Sequence, residues 1–198
     1  MKKFDLNDFK DLPLANWCSP TDDHRVYMTD TKKISVTISH KSADIVVTRE
    51  DMNTPYGSME IYALKTKILI REGKQFSTMP VGIWTDYDEN GKLIKETDYD
   101  SRFLFSVDSL IVKMKKEYDV DILDKENTWV QRYAVNQDPN KPVYRVTSRL
   151  YQYSENYNIF IIEGNTGDLI FRGIQYAGDK KGLLEQYDLY MKSLNKQE

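Results

Sequence analysis

The residues of this chain best placed to do chemistry lie in VGIWTDYDENGKLIKETDY, from Val81 to Tyr99. Asp86, Asp88, Asn90 and Gly91 match the opening of a calcium loop of the EF-hand kind, with oxygen ligands at alternate positions and a glycine at the sharp turn. The closing position should be a bidentate Glu but is Thr97, and Glu96 stands one place early. Pro80, Gly82 and the β-branched and aromatic residues around Trp84 are also poor material for the entering helix that such a loop needs. A β-hairpin accounts for the same residues. Asn90-Gly91 is a strong two-residue hairpin signal, predicting a type I′ turn with positive φ at both positions. Residues on either side alternate as strands do, so the acids serve as turn-formers and a solvated face, and no metal site is expected.

Other catalytic constellations are sparse. The two histidines, His24 and His40, form no i, i+4 pair, and Cys18 precedes His24 at a spacing that fits no common zinc pattern. A cysteine nucleophile would need a base brought within hydrogen-bond reach; a buried structural Cys18 and a surface His24 is the simpler reading. The chain has no phosphate-binding loop, no dinucleotide-binding glycine pattern and no zinc-ligand cluster. With 31 acidic residues, a pair of carboxylates placed for glycoside hydrolysis can be drawn almost anywhere and so specifies nothing. The expectation is a protein without catalytic residues or cofactor.

Tyrosine is the conspicuous residue type: of fourteen, Tyr144, Tyr151, Tyr153 and Tyr157 fall close together. Aromatics suit pleated sheets and pair across strands, so sheet packing explains them. They also suit a recognition surface, because tyrosine gives large contact area at low entropy cost and keeps a polar tip. Read as strand residues, Tyr151 and Tyr153 share a face. Tyr151, Tyr153, Tyr157 and Trp84 are the candidate partner-binding residues, with core packing as the competing role for Trp84 and Trp129.

The elements that would position these residues follow from periodicity. The first twenty residues read as a short amphipathic helix carrying Phe4, Leu6 and Phe9 and ending at Pro13. Strands are expected at 25–29, 33–39, 44–49 and 59–70, then in the hairpin. Near Ser101 the period changes. Val107, Leu110, Ile111, Met114 and Tyr118 fall at helical spacing behind Ser106 as N-cap. Strands return at 128–135, 143–153, 157–163 and 168–174, and a last helix carries Leu183, Leu184, Tyr187, Tyr190, Met191 and Leu194 behind Asp179. The expected fold class is therefore α+β, mainly antiparallel β-sheet with a central and a C-terminal amphipathic helix. Its organisation would be a β-rich subdomain over 1–100 and a helix–strands–helix subdomain over 101–198, or one continuous domain.

Two resemblances follow from these residues. Gly82, Trp84, Tyr87, Asn90, Gly91, Lys92 and Leu93, followed by Glu96 and Tyr99, resemble the variant MORN repeat. In that family a Gly-x-Trp strand, an Asn-Gly-Lys turn and a return strand ending in Tyr form one hairpin of an extended antiparallel sheet. Such repeats normally come in series, because neighbours are needed to bury a continuous face. Here one clean unit is present, and Glu60 to Gly73 resembles a degenerate preceding one. Val143-Tyr144-Arg145-Val146, Ile159-Phe160-Ile161-Ile162 and the Asn165-Thr166-Gly167-Asp168-Leu169 turn loosely resemble the small PepSY-like architecture.

The first resemblance implies a bacterial immunity protein or antitoxin: small, mildly acidic, cytoplasmic, and acting by binding a toxin or secreted effector. The alternative is a PepSY- or MORN-like scaffold or inhibitor module without a toxin partner. Composition bounds both readings. At 198 residues and 40% hydrophobic content the chain can bury a sizeable core. Its net charge of −3, with acids and bases interspersed, weighs against nucleic acid, since Lys113 to Lys116 is one face of a helix and not a basic stripe. No run reaches membrane-spanning length, and Asp5, Asp8 and Asp11 occupy the place of a signal peptide's apolar region, so no membrane role and a cytoplasmic location are expected.

Overall fold

The computed structural model describes residues 1–17, 19–134 and 141–177. The chain divides into two compact units, one formed by Met1–Arg102 with Leu123–Lys125 and the other by Phe103–Ile122 with Glu126–Glu198.

In the first unit seven strands run as an antiparallel meander in chain order: β1 (His24–Met28), β2 (Lys32–Ser39), β3 (Asp44–Asp51), β4 (Tyr56–Ala63), β5 (Leu69–Phe76), β6 (Met79–Tyr87) and β7 (Leu93–Asp98). Alternation sends Ile34, Val36, Ile45, Val47 and Tyr62 to one face, where with Tyr27 and Leu69 they form the core. The N-terminal segment covers that face. It contains one 3-10 turn, Leu6–Phe9, capped by Asp5, and not the amphipathic helix its spacing suggests. Phe9 stacks on Tyr27 and Phe4 meets Tyr62 at a tilt, with ring centroids 5.6 Å apart in both cases.

The stretch 59–70, expected as one strand, is two. Ala63 and Ile68 close a turn in which Lys67 adopts φ 62°, and β5 then returns along β4. The Asn90-Gly91 hairpin forms, with a different turn from the one expected. Gly91 alone has positive φ, its N–H donates to the Asp88 carbonyl, and the Asp88 N–H donates to the Lys92 carbonyl. This is a three-residue loop closed by glycine in the left-handed region, and Asn90 stays outside that region because the Asp88 carboxylate accepts from the backbone N–H groups of Asn90 and Lys92.

The second unit holds a four-stranded antiparallel sheet ordered β11-β10-β9-β8, from β8 (Thr128–Ala134), β9 (Pro142–Arg149), β10 (Tyr157–Glu163) and β11 (Leu169–Gln175). The helix α1 (Val107–Tyr118) forms where the 3.6 period predicts it. The Ser106 hydroxyl accepts from the Ser109 N–H, and Asp119 in the left-handed conformation ends the helix. Tyr118 packs on Phe160 at 5.0 Å, on the face shared by Val130, Val146 and Phe160. Fully buried Tyr144 donates its hydroxyl to the Phe105 carbonyl.

These observations correct the α+β expectation. Strand accounts for 49% of the structure and helix for 9%, so this is a mainly-β protein of two antiparallel sheets with one α-helix among the described residues. The physical reason is length. Among the described residues a 3.6 period is sustained over three turns only behind Ser106, whereas nearly every other apolar run there alternates and bends back at a turn. The C-terminal helix expected over 183–194 lies outside the described residues.

Candidate partner-binding surface

Two places concentrate side chains with something to do, one in each unit.

In the first unit a polar network is set into the core face. Alternation puts Glu60 on the same side as Tyr62 and Val47, where its side chain is largely buried. Its carboxylate receives the Lys2 ammonium at 2.6 Å, the Arg49 guanidinium at 2.7 Å and the Tyr62 hydroxyl at 2.7 Å. Burial pushes the Glu60 carboxyl up, but hydrogen bonds from Lys2, Arg49 and Tyr62 outweigh it and hold the group below its usual value. The Tyr62 hydroxyl is driven strongly upward by burial and by the Glu60 carboxylate. Glu72, directly across from Glu60, accepts from Tyr87, which raises the Tyr87 hydroxyl's pKa, and lies 3.5 Å from Lys2. Every carboxylate here is engaged within the chain, and the network ties the N-terminal segment to the sheet.

On the opposite face of the same sheet lies Trp84. It is 4% exposed, packed flat over the backbone of Gly73, with its indole N–H donating to the Lys74 carbonyl at 2.9 Å. Tyr99 meets it edge-on and the Arg71 guanidinium sits 5.3 Å from the ring. Trp84 thus occupies the packing position that competed with its candidate role in binding. Asp86 pairs with Arg71 at 3.1 Å, Asp88 accepts backbone amides that hold its pKa down, and Glu96 is on a neighbouring strand. Among the described residues no group of three or more His, Cys, Asp or Glu converges on a metal position. His24 meets the Thr37 hydroxyl, exposed His40 meets Asp23, and Cys18 lies outside the described residues.

In the second unit, one end of the β8–β9–β10 sheet carries an aromatic and arginine cluster. Trp129 and Tyr157 meet edge-on at 5.7 Å, and the Arg149 guanidinium carbon lies 5.7 Å from both rings. The segment after Arg149 leaves the sheet, so Tyr151 and Tyr153 are loop residues and not members of a strand with a common face. The strand pattern breaks because Tyr153 takes φ 62° and because Ser154 is buried and hydrogen-bonded.

That loop is closed and braced. Leu150 N–H donates to the Asn156 carbonyl, Ser154 N–H to the Tyr151 carbonyl, Asn156 N–H to the Ser154 hydroxyl, and the Arg149 guanidinium to the Ser154 carbonyl at 2.8 Å. Its two tyrosines nevertheless face water, Tyr151 at 65% and Tyr153 at 85% exposure, next to exposed Leu150. Two large aromatic side chains are thereby held outward on a backbone that has already lost its freedom, which lowers the ordering cost of contact with a partner. Holding a β-carbon in the left-handed region costs on the order of 1 kcal/mol. An exposed tyrosine gains nothing in stability that would offset this.

Trp129 belongs to this surface although its sequence reading favoured the core. Thr128 and Val130 are both buried, so Trp129 faces the other side of β8. The alternation over 128–134 does not by itself say which face is buried, and Arg149 and Leu150 carried no sequence signal either. No protein-family model matches the chain, and neither a curated protein nor a solved structure matches it.

Proposed function

We propose that this is a non-catalytic cytoplasmic binding protein of the bacterial immunity or antitoxin type, which neutralises a toxin by occluding it with the surface around Leu150, Tyr151 and Tyr153. The observation that carries the proposal is the braced loop presenting two exposed tyrosines beside Trp129, Arg149 and Tyr157. Tyrosine, tryptophan and arginine are the residues that dominate binding energy at protein interfaces, and a rigid paratope spends little entropy. The toxin as partner rests on the resemblance of Gly82 to Tyr99 to the variant MORN hairpin. That residue set supplies a scaffold: Trp84 locks β6 to β5 and the Asp88–Lys92 turn closes the hairpin.

Growth protection tests this reading. The protein encoded beside this one is expressed from a graded promoter, and this chain is titrated against it. Protection that saturates near one copy per toxin, and is lost with Tyr151→Ser/Tyr153→Ser, is the expected result. Protection at far below one-to-one, or unchanged by the double substitution, overturns it.

A further inference from the structure

We infer that β7 is a second interaction surface, which accepts an extended strand from a partner protein carrying basic residues alternating with small aliphatic ones. It lies in the first unit and is independent of the tyrosine loop. The two edges of the seven-stranded sheet are treated differently. At the β1 edge the chain covers itself: Ala15 N–H donates to the Val26 carbonyl, Met28 N–H donates to the Pro13 carbonyl, and Leu14 pairs with Tyr27. At the other edge β7 is the last strand.

Register says which of its main-chain groups are open. Tyr99 N–H donates to the Gly82 carbonyl, Thr97 lies opposite Trp84 and Lys95 opposite Asp86, so the main-chain groups of Thr97 and Lys95 point toward β6. Those of Glu96, and the N–H of Asp98, therefore point away from the sheet. The Asp98 carbonyl accepts from the Ser101 hydroxyl. On this edge Leu93 and Ile94 are exposed, beside exposed Ile83 of β6, an arrangement that natural sheets usually protect against and that marks a template for strand addition.

Charge selects the occupant. Glu96 and Asp98 project on one face, the face of Ile83 and Thr85, so an added strand meets two carboxylates there and is favoured by basic side chains. A second copy is disfavoured. Two β7 strands related by a two-fold axis pair residues of the same face. Centring on Lys95 or Glu96 sets each against its own like charge, centring on Thr97 sets Glu96 against Asp98 twice, and a centre on Ile94 falls on the bulge opposite Asp86–Tyr87.

The test uses the full chain and short acetylated, amidated, fluorescently labelled peptides alternating valine or threonine with lysine, or with glutamate in the lysine places, read by anisotropy. The lysine peptide is expected to bind at least about tenfold more tightly than the glutamate one. Glu96→Pro removes only an outward donor, which an edge strand tolerates, and is expected to weaken the lysine peptide at least about tenfold with an unchanged unfolding midpoint. Should Glu96→Pro unfold the protein, Glu96→Lys/Asp98→Lys decides, by inverting the preference between the two peptides. Absence of lysine-peptide binding, equal binding of both peptides, binding that Glu96→Pro or the charge reversal leaves unaltered, or concentration-dependent dimerisation abolished by Glu96→Pro, each overturns the inference.

Discussion

Gly73 is where the structure makes its sharpest energetic commitment. A β-carbon built at that position falls 2.3 Å from Cδ2 of Trp84 and 2.4 Å from Cε2 and Cγ. Carbon atoms in contact rest at about 3.5–4.0 Å, so Gly73→Ala forces the indole to retreat by more than about an ångström. The retreat breaks the hydrogen bond from Nε1 to the Lys74 carbonyl, which contributes about 1 kcal/mol, and loosens the Arg71 and Tyr99 contacts, each about 0.5–1 kcal/mol. Alanine recovers about 0.5–1 kcal/mol of strand propensity. The net expectation is a loss of about 2 kcal/mol, or about 10 °C in the thermal midpoint of a unit this size. Urea unfolding followed by tryptophan fluorescence measures it, with the slope unchanged. In a Trp84→Leu background the smaller side chain leaves room, and the cost of Gly73→Ala should fall below about 0.5 kcal/mol. The packing argument fails if Gly73→Ala is nearly silent in the native background, or if it costs the same in both.

Three further outcomes follow from the same geometry. Glu60→Gln should lower stability at neutral pH by about 1–2 kcal/mol, less than for a fully buried pair because Lys2 and Arg49 remain partly exposed to water. Since the folded carboxyl titrates below its ordinary 4.5, the gap between wild type and Glu60→Gln is full above about pH 4.5 and closes as the pH falls through the folded value; a pH-independent gap would contradict this. Tyr153→Gly relieves the left-handed strain and should raise stability by up to about 1 kcal/mol while weakening partner binding, read by calorimetry in both respects. Ser106→Ala removes the cap of α1 and should cost about 1 kcal/mol in the second unit, measured by chemical denaturation.

What could be read in advance was local. Alternation in Lys33 to Ser39 and Asp44 to Arg49, the Asn-Gly hairpin, and the helical spacing behind Ser106 each depend on neighbours in sequence, and each element appears close to where its pattern lies. What could not be read depends on distant partners or on non-glycine residues with positive φ. Glu60 looks like a surface residue of an alternating strand, yet its partner Lys2 comes from 58 positions away. Lys67 and Tyr153 both turn the chain in the left-handed region, so one expected strand became a hairpin and another stopped at Arg149, turning Tyr151 and Tyr153 from strand residues into loop residues. Asn90-Gly91 is compatible with two turn types, and the Asp88 carboxylate decided between them. The N-terminal helix does not form because a few apolar residues at helical spacing are too short a run to nucleate more than one 3-10 turn.

The most direct test of the proposed tyrosine-loop interface is affinity capture from the native host at moderate salt, run in parallel with the wild-type chain and Tyr151→Ser/Tyr153→Ser. One protein retained near one-to-one by the wild type and lost with the double variant is the predicted result. Equal recovery of the same protein by both chains, or no stoichiometric partner for either, would contradict the account.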